Sequence, residues 1–97
     1  VKVRFTLAAL RQIERILGEA EVHSPHGAAG MRTRFSAVIG LLEDYPLAGQ
    51  ATSRKGARRI VLTPYPYILF YRVVADEIIV TRIRHGAGRP LLGEGLP

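Results

Sequence analysis

Val1, Val3 and Phe5 alternate with Lys2, Arg4 and Thr6, which is the period of a half-buried strand, and the period changes at Leu7. From Leu7 to Glu21, Leu10, Ile13, Leu17 and Ala20 recur three and four residues apart, joined by Ile16, while Arg11, Glu14 and Arg15 fall elsewhere. That spacing predicts an amphipathic helix with Thr6 as its N-cap. Ser24-Pro25 reads as a second N-cap followed by proline at the first helical position, where the missing N–H costs nothing. The helix that follows carries Met31, Phe35, Val38, Leu42 and Tyr45 on one stripe and ends at Pro46; Gly27 and Gly30 weaken its first turns.

After Leu47 the pattern changes again. Residues 47 to 56 turn to Gly, Ser, Thr and Gln with Arg54 and Lys55, which predicts a mobile surface loop with no phosphate-cradling motif. Arg58 to Thr63 then reads as a strand, Pro64 and Pro66 break the ladder, and Tyr67 to Val74 and Glu77 to His85 read as two further strands joined through Ala75-Asp76. The predicted order is βααβββ in one α+β domain spanning 1–97. A helical hairpin packs its apolar stripes on a mostly antiparallel sheet, and residues 86–97, with four glycines, form a flexible tail.

Strand parity places Tyr67, Leu69, Tyr71 and Val73 on one face and Ile68, Phe70, Arg72 and Val74 on the other. On the last strand the same rule sets Ile79, Thr81, Ile83 and His85 against Ile78, Val80, Arg82 and Arg84. Neither face is fully polar. With helices on one side, the other side keeps an apolar patch edged with arginine, the composition of a protein-binding surface.

Charge sharpens this picture. Of the net +6, residues 1 to 53 contribute +1 and residues 54 to 97 contribute +5, so the basic character lies in the C-terminal half. A positive face attracts phosphate backbones or acidic protein segments. A chain of 97 residues buries about two thirds of its unfolded surface, enough for a single core. The longest apolar runs are too short for a membrane span, and the absence of cysteine excludes a disulfide framework, so a cytoplasmic location is expected.

The chemistry-bearing groups are few. His23 and His26 stand three apart at a helix start without the further ligand zinc requires, so no metal and no cofactor is expected. His85 ends a strand beside Arg82, Arg84 and Arg89, where an imidazole could move a proton while guanidinium groups hold a phosphate. Equally, a histidine at a strand end satisfies a backbone carbonyl with no catalytic role.

Several motifs occur in order: Leu41-Leu42-x-x-x-Pro46-x-x-Gly49, Tyr65-Pro66-Tyr67, Phe70-Tyr71-Arg72-Val73, Asp76-Glu77 and Arg82-x-x-His85-Gly86-Ala87. Together they resemble the RelE/ParE superfamily of bacterial type II toxins, and the resemblance covers nearly the whole chain. Tyr-Pro-Tyr and His-Gly-Ala resemble the ParE, or plasmid stabilisation, branch, whose better-known members poison DNA gyrase by binding it. The resemblance implies a cognate antitoxin partner that lays a helix or extended segment over the apolar and basic surface. Candidate contacts for antitoxin or target are Arg58, Arg59, Ile68, Phe70, Arg72, Arg82, Arg84 and Arg89. Any DNA contact would come through the antitoxin, since neither helix has a basic, base-reading face.

The alternative within the superfamily is a ribosome-dependent mRNA endonuclease of the RelE type, with His85 as acid or base and Arg82, Arg84 and Arg89 on the scissile phosphate. The chain departs from that branch: Ile68 stands where such nucleases tend to place a basic residue, and no tyrosine follows Tyr71. A degenerate member that retains only antitoxin binding is a third reading.

Overall fold

The computed structural model describes residues 1–86. Strand β1 (Lys2–Phe5) leads into helix α1 (Leu7–His23), which turns at Ser24 into helix α2 (Pro25–Asp44). Four strands follow: β2 (Gln50–Ala51), β3 (Ala57–Val61), β4 (Tyr67–Val74) and β5 (Glu77–His85). They form one sheet in the order β1-β5-β4-β3-β2, with β1 parallel to β5 and every other pair antiparallel. The α+β hairpin-on-sheet architecture follows the expectation. The sheet has one strand more, because Gln50 and Ala51 pair with Arg59 and Arg58 inside the segment expected to be loop. Two residues are too few to show a period, so polar composition hid the strand.

Both helix starts follow from their caps. Thr6 Oγ1 accepts from the Ala9 N–H at 3.1 Å and donates to the Thr81 carbonyl at 3.1 Å, tying the β1–α1 junction to β5. Ser24 serves two helices: its N–H donates to Ala20 O at 2.7 Å, closing α1, while its Oγ accepts from the Gly27 N–H at 3.0 Å, opening α2. Sharing one residue makes the hairpin tight, and α1 runs two residues past its expected end.

The core lies between the hairpin and one sheet face. Ala9, Val38 and Leu42 from the helices meet Leu69, Tyr71, Ile78, Val80 and Ile83 from β4 and β5, with Phe35, Ile13 and Ile16 packed around them. Fully burying each large apolar side chain stabilises the fold by about 1.5–3 kcal/mol before entropy is counted. The expected stripe of α1 is rotated: Ala9 is buried, whereas Leu10 is exposed. Tyr45, assigned to the α2 stripe, caps the helix and is also exposed.

A bulge corrects the parity expected for β5. Phe70 pairs with Arg82 but Tyr71 pairs with Val80, so Thr81 is an extra residue, and its Oγ1 donates to the Phe70 carbonyl at 3.2 Å. Beyond it the faces exchange. Ile78, Val80 and Ile83 therefore share the core, while Arg82 and Arg84 join Phe70 and Ile68 on the opposite face. Where β1 has ended, the Ile83 N–H is satisfied by Gln12 Oε1 at 2.8 Å from α1.

Candidate functional site

The face of the sheet turned away from the helices is built from cross-strand rows, because directly paired residues share a face. Arg59, Phe70 and Arg82 form one row across β3, β4 and β5; Val61, Ile68 and Arg84 form the next; Ala57, Arg72 and Ile79 form a third. Arg82 lies over the Phe70 ring with its guanidinium carbon 4.4 Å from the centroid, and Arg84 approaches the same ring at 5.4 Å. A cation over a ring face is attracted by its π system without using the guanidinium N–H groups, which leaves them available to an anion. Arg59 is held differently, donating to Gln50 Oε1 at 3.3 and 3.4 Å from the edge strand β2.

Two concave regions adjoin this ring. A groove of about 420 Å³ lies between the 52–54 turn and β4–β5, lined by Arg54, Arg72, Arg82, Ser53, Thr81 and Phe70 among others. A second, of about 340 Å³, lies on the β2 side of Phe70 and includes Gln50 and Arg59. No acidic side chain lines either one. The ion pairs among the described residues are Arg4–Glu77 at 3.3 Å and Arg32–Glu21 at 3.4 Å, neither in a groove.

Of the residues expected to meet a partner, Arg59, Ile68, Phe70, Arg72, Arg82 and Arg84 thus share one surface. Arg58 does not: paired with Tyr71, it faces the helix side, where its Nη1 donates to Gly49 O at 2.7 Å and Leu47 O at 3.4 Å. Arg89 lies outside the described residues. His85 is paired with Tyr67, and the two rings meet edge to face at 5.4 Å. Its neighbour Arg84 points to the other face, so the backbone sets the imidazole apart from Arg82 and Arg84, which the nuclease alternative would need beside it.

The family described as the ParE toxin of the type II toxin-antitoxin system, parDE, matches residues 3–90. The chain belongs to the ParE toxin family. A Sinorhizobium fredii (strain NBRC 101917 / NGR234) protein named "Putative toxin Y4kP" is 35% identical over 80 residues, which cover 82% of this chain and 83% of that protein. Among solved structures, a chain of the chromosomal ParDE TA system from P. aeruginosa superposes with a TM-score of 0.75 over 88% of this chain and 95% of that one. At 22% identity the likeness establishes a shared fold.

In this ParE-family chain the spacing Pro46-x-x-Gly49 has a structural cause that the partner-directed reading missed. The Tyr71 hydroxyl donates to Pro46 O at 2.9 Å and accepts from the Gly49 N–H at 2.8 Å. Burial pushes that hydroxyl above its ordinary pKa of 10.0, against the Gly49 hydrogen bond and the nearby Arg58 charge, which pull it down. Tyr71 and Arg58 together fasten the α2–β2 connection to the sheet, and so set where β2 and Gln50 stand beside Arg59. The signal was present in the motifs, but linking residues 22 apart required the fold. Among the described residues no group of three or more His, Cys, Asp or Glu is placed to hold a metal, and no helix is long and apolar enough to cross a membrane.

Proposed function

We propose that this ParE-family toxin acts in the cytoplasm by binding and poisoning DNA gyrase, and that a cognate antitoxin neutralises it by covering the outer sheet face. The observation that carries the second part is the Phe70 ring flanked by Arg82 and Arg84 beside a groove that no acidic side chain lines. Aromatic and arginine anchors supply much of the energy of protein interfaces, and clustered guanidinium groups favour an acidic segment. The fold relative is itself named as part of a ParDE TA system, which supports an antitoxin partner. Gyrase is assigned from the family resemblance. Binding is favoured over RNA cleavage because His85 and the Arg82–Arg84 pair lie on opposite faces.

The test is supercoiling by purified gyrase with the protein added alone and then with the product of its neighbouring gene. Inhibition with accumulated cleaved DNA, relieved by the partner, is the expected result. Unimpaired supercoiling at saturating protein, together with mRNA cleavage in a translating extract, would overturn the gyrase assignment.

A further inference from the structure

The 420 Å³ groove concentrates positive charge beside Phe70. Arg54, Arg72 and Arg82 line one concave volume, Arg59 and Arg84 flank it across Phe70, and no carboxylate lines it. Like charges on neighbouring side chains repel, and an anion between them relieves the repulsion. The turn that carries Arg54 is built, not loose: Thr52 Oγ1 accepts from the Arg54 N–H at 3.2 Å, lies 3.0 Å from Ala57 O, to which it donates, and the Ala57 N–H donates to Arg54 O at 3.1 Å. Gly56 at φ +78° lets the chain reverse beside Arg72, whose Nη2 would stand 3.7 Å from a Cβ there.

We propose that this groove is a phosphate-binding site for a compact polyphosphate group, a role that goes beyond gyrase and antitoxin binding and does not depend on either. A side-chain carboxylate carries one charge and matches one guanidinium fork. Three arginines lining one groove match a ligand with several charges on adjacent tetrahedral groups, each offering three acceptor oxygens. The volume falls in the range of small-ligand sites. Ser53 adds a hydroxyl donor at the rim, while the Phe70 ring attracts the Arg82 guanidinium without consuming its donors. The same chemistry is offered by a free polyphosphate and by a nucleic-acid backbone; the groove is open on one side and bounded by the 52–57 turn on the other, and the oligonucleotide arm of the titration distinguishes the two sources.

The experiment is calorimetric titration of the full chain with inorganic tripolyphosphate, ATP, a short single-stranded oligonucleotide and a glutamate-rich peptide, at about 0.15 M salt. Saturable one-to-one binding of tripolyphosphate and ATP is expected. Arg54→Gln, Arg72→Gln and Arg82→Gln should each weaken it roughly tenfold, and Arg32→Gln, whose partner is Glu21 on the helix hairpin, should leave it unchanged. Thermal melts check that each variant is folded, and ³¹P line broadening of tripolyphosphate by the unsubstituted chain gives a readout independent of any variant. Absence of saturable binding, or equal weakening by Arg32→Gln, would overturn the site. Tighter binding of the peptide than of tripolyphosphate would reassign it to protein carboxylates, and binding of the oligonucleotide alone would reassign it to a nucleic-acid backbone.

Discussion

The amide of Gly49 donates to the hydroxyl of Tyr71 across 2.8 Å, and a side chain at residue 49 has nowhere to go: its Cβ would stand 2.6 Å from that oxygen and 2.8 Å from the Arg59 carbonyl. Glycine is required here by close approach. Gly49→Ala should destabilise the fold by about 2 kcal/mol or more, because both the buried ring and the β3 backbone would have to move. Tyr71→Phe keeps the ring but strands the Gly49 N–H and Pro46 carbonyl, at a cost of about 1–3 kcal/mol. Urea unfolding of the two variants measures both; wild-type stability in either would show that the connection is not fastened through this hydroxyl.

The raised pKa of Tyr71 predicts a pH dependence. Its folded-state value lies above the unfolded value near 10.0, so the unfolded chain releases this proton first. The associated stability is complete below about pH 10 and is lost as pH rises from there through the folded pKa. Denaturant midpoints of the wild type should fall more steeply above pH 10 than those of Tyr71→Phe, and parallel curves would contradict the assignment.

Ala75 opens the two-residue turn between β4 and β5 with φ +55°, in the left-handed region that side chains disfavour. Ala75→Gly should therefore stabilise the protein by up to about 1 kcal/mol, the relief of strain exceeding the entropy cost of glycine. A lowered melting temperature would show that the turn is unstrained.

Reversing the charges flanking Phe70 tests the proposed antitoxin surface. Arg82→Glu with Arg84→Glu should raise the antitoxin dissociation constant at least about tenfold while leaving the melting temperature within a few degrees, since both side chains are exposed. Unchanged affinity would move the antitoxin to another face.

His85 faces Tyr67 on the side of the sheet opposite Arg84. His85→Ala should leave antitoxin binding and cellular toxicity intact. Loss of toxicity in a folded, antitoxin-binding His85→Ala protein would instead support nucleolytic chemistry.

Much of the fold was legible along the chain. The switch from period two to period 3.6 at Leu7, Thr6 and Ser24 as caps, and the prolines at 64 and 66 each act through neighbouring residues, and the elements they predict are present. The short strand β2 was not legible, because it exists only through pairing with Arg58 and Arg59. Nor was the facing of β5, since one extra residue at Thr81 reverses every side chain beyond it.

The sequence by itself therefore determined every element except β2, the α+β class and the excess of arginine in the second half, all of which depend on local spacing and composition. Tertiary structure decided which arginines meet. It turned Arg58 inward to the Gly49 carbonyl, brought Arg82 and Arg84 onto Phe70, and set His85 against Tyr67. The physical reason is that a face is a property of strand register, and register is fixed by a bulge and by pairings between residues far apart in the chain.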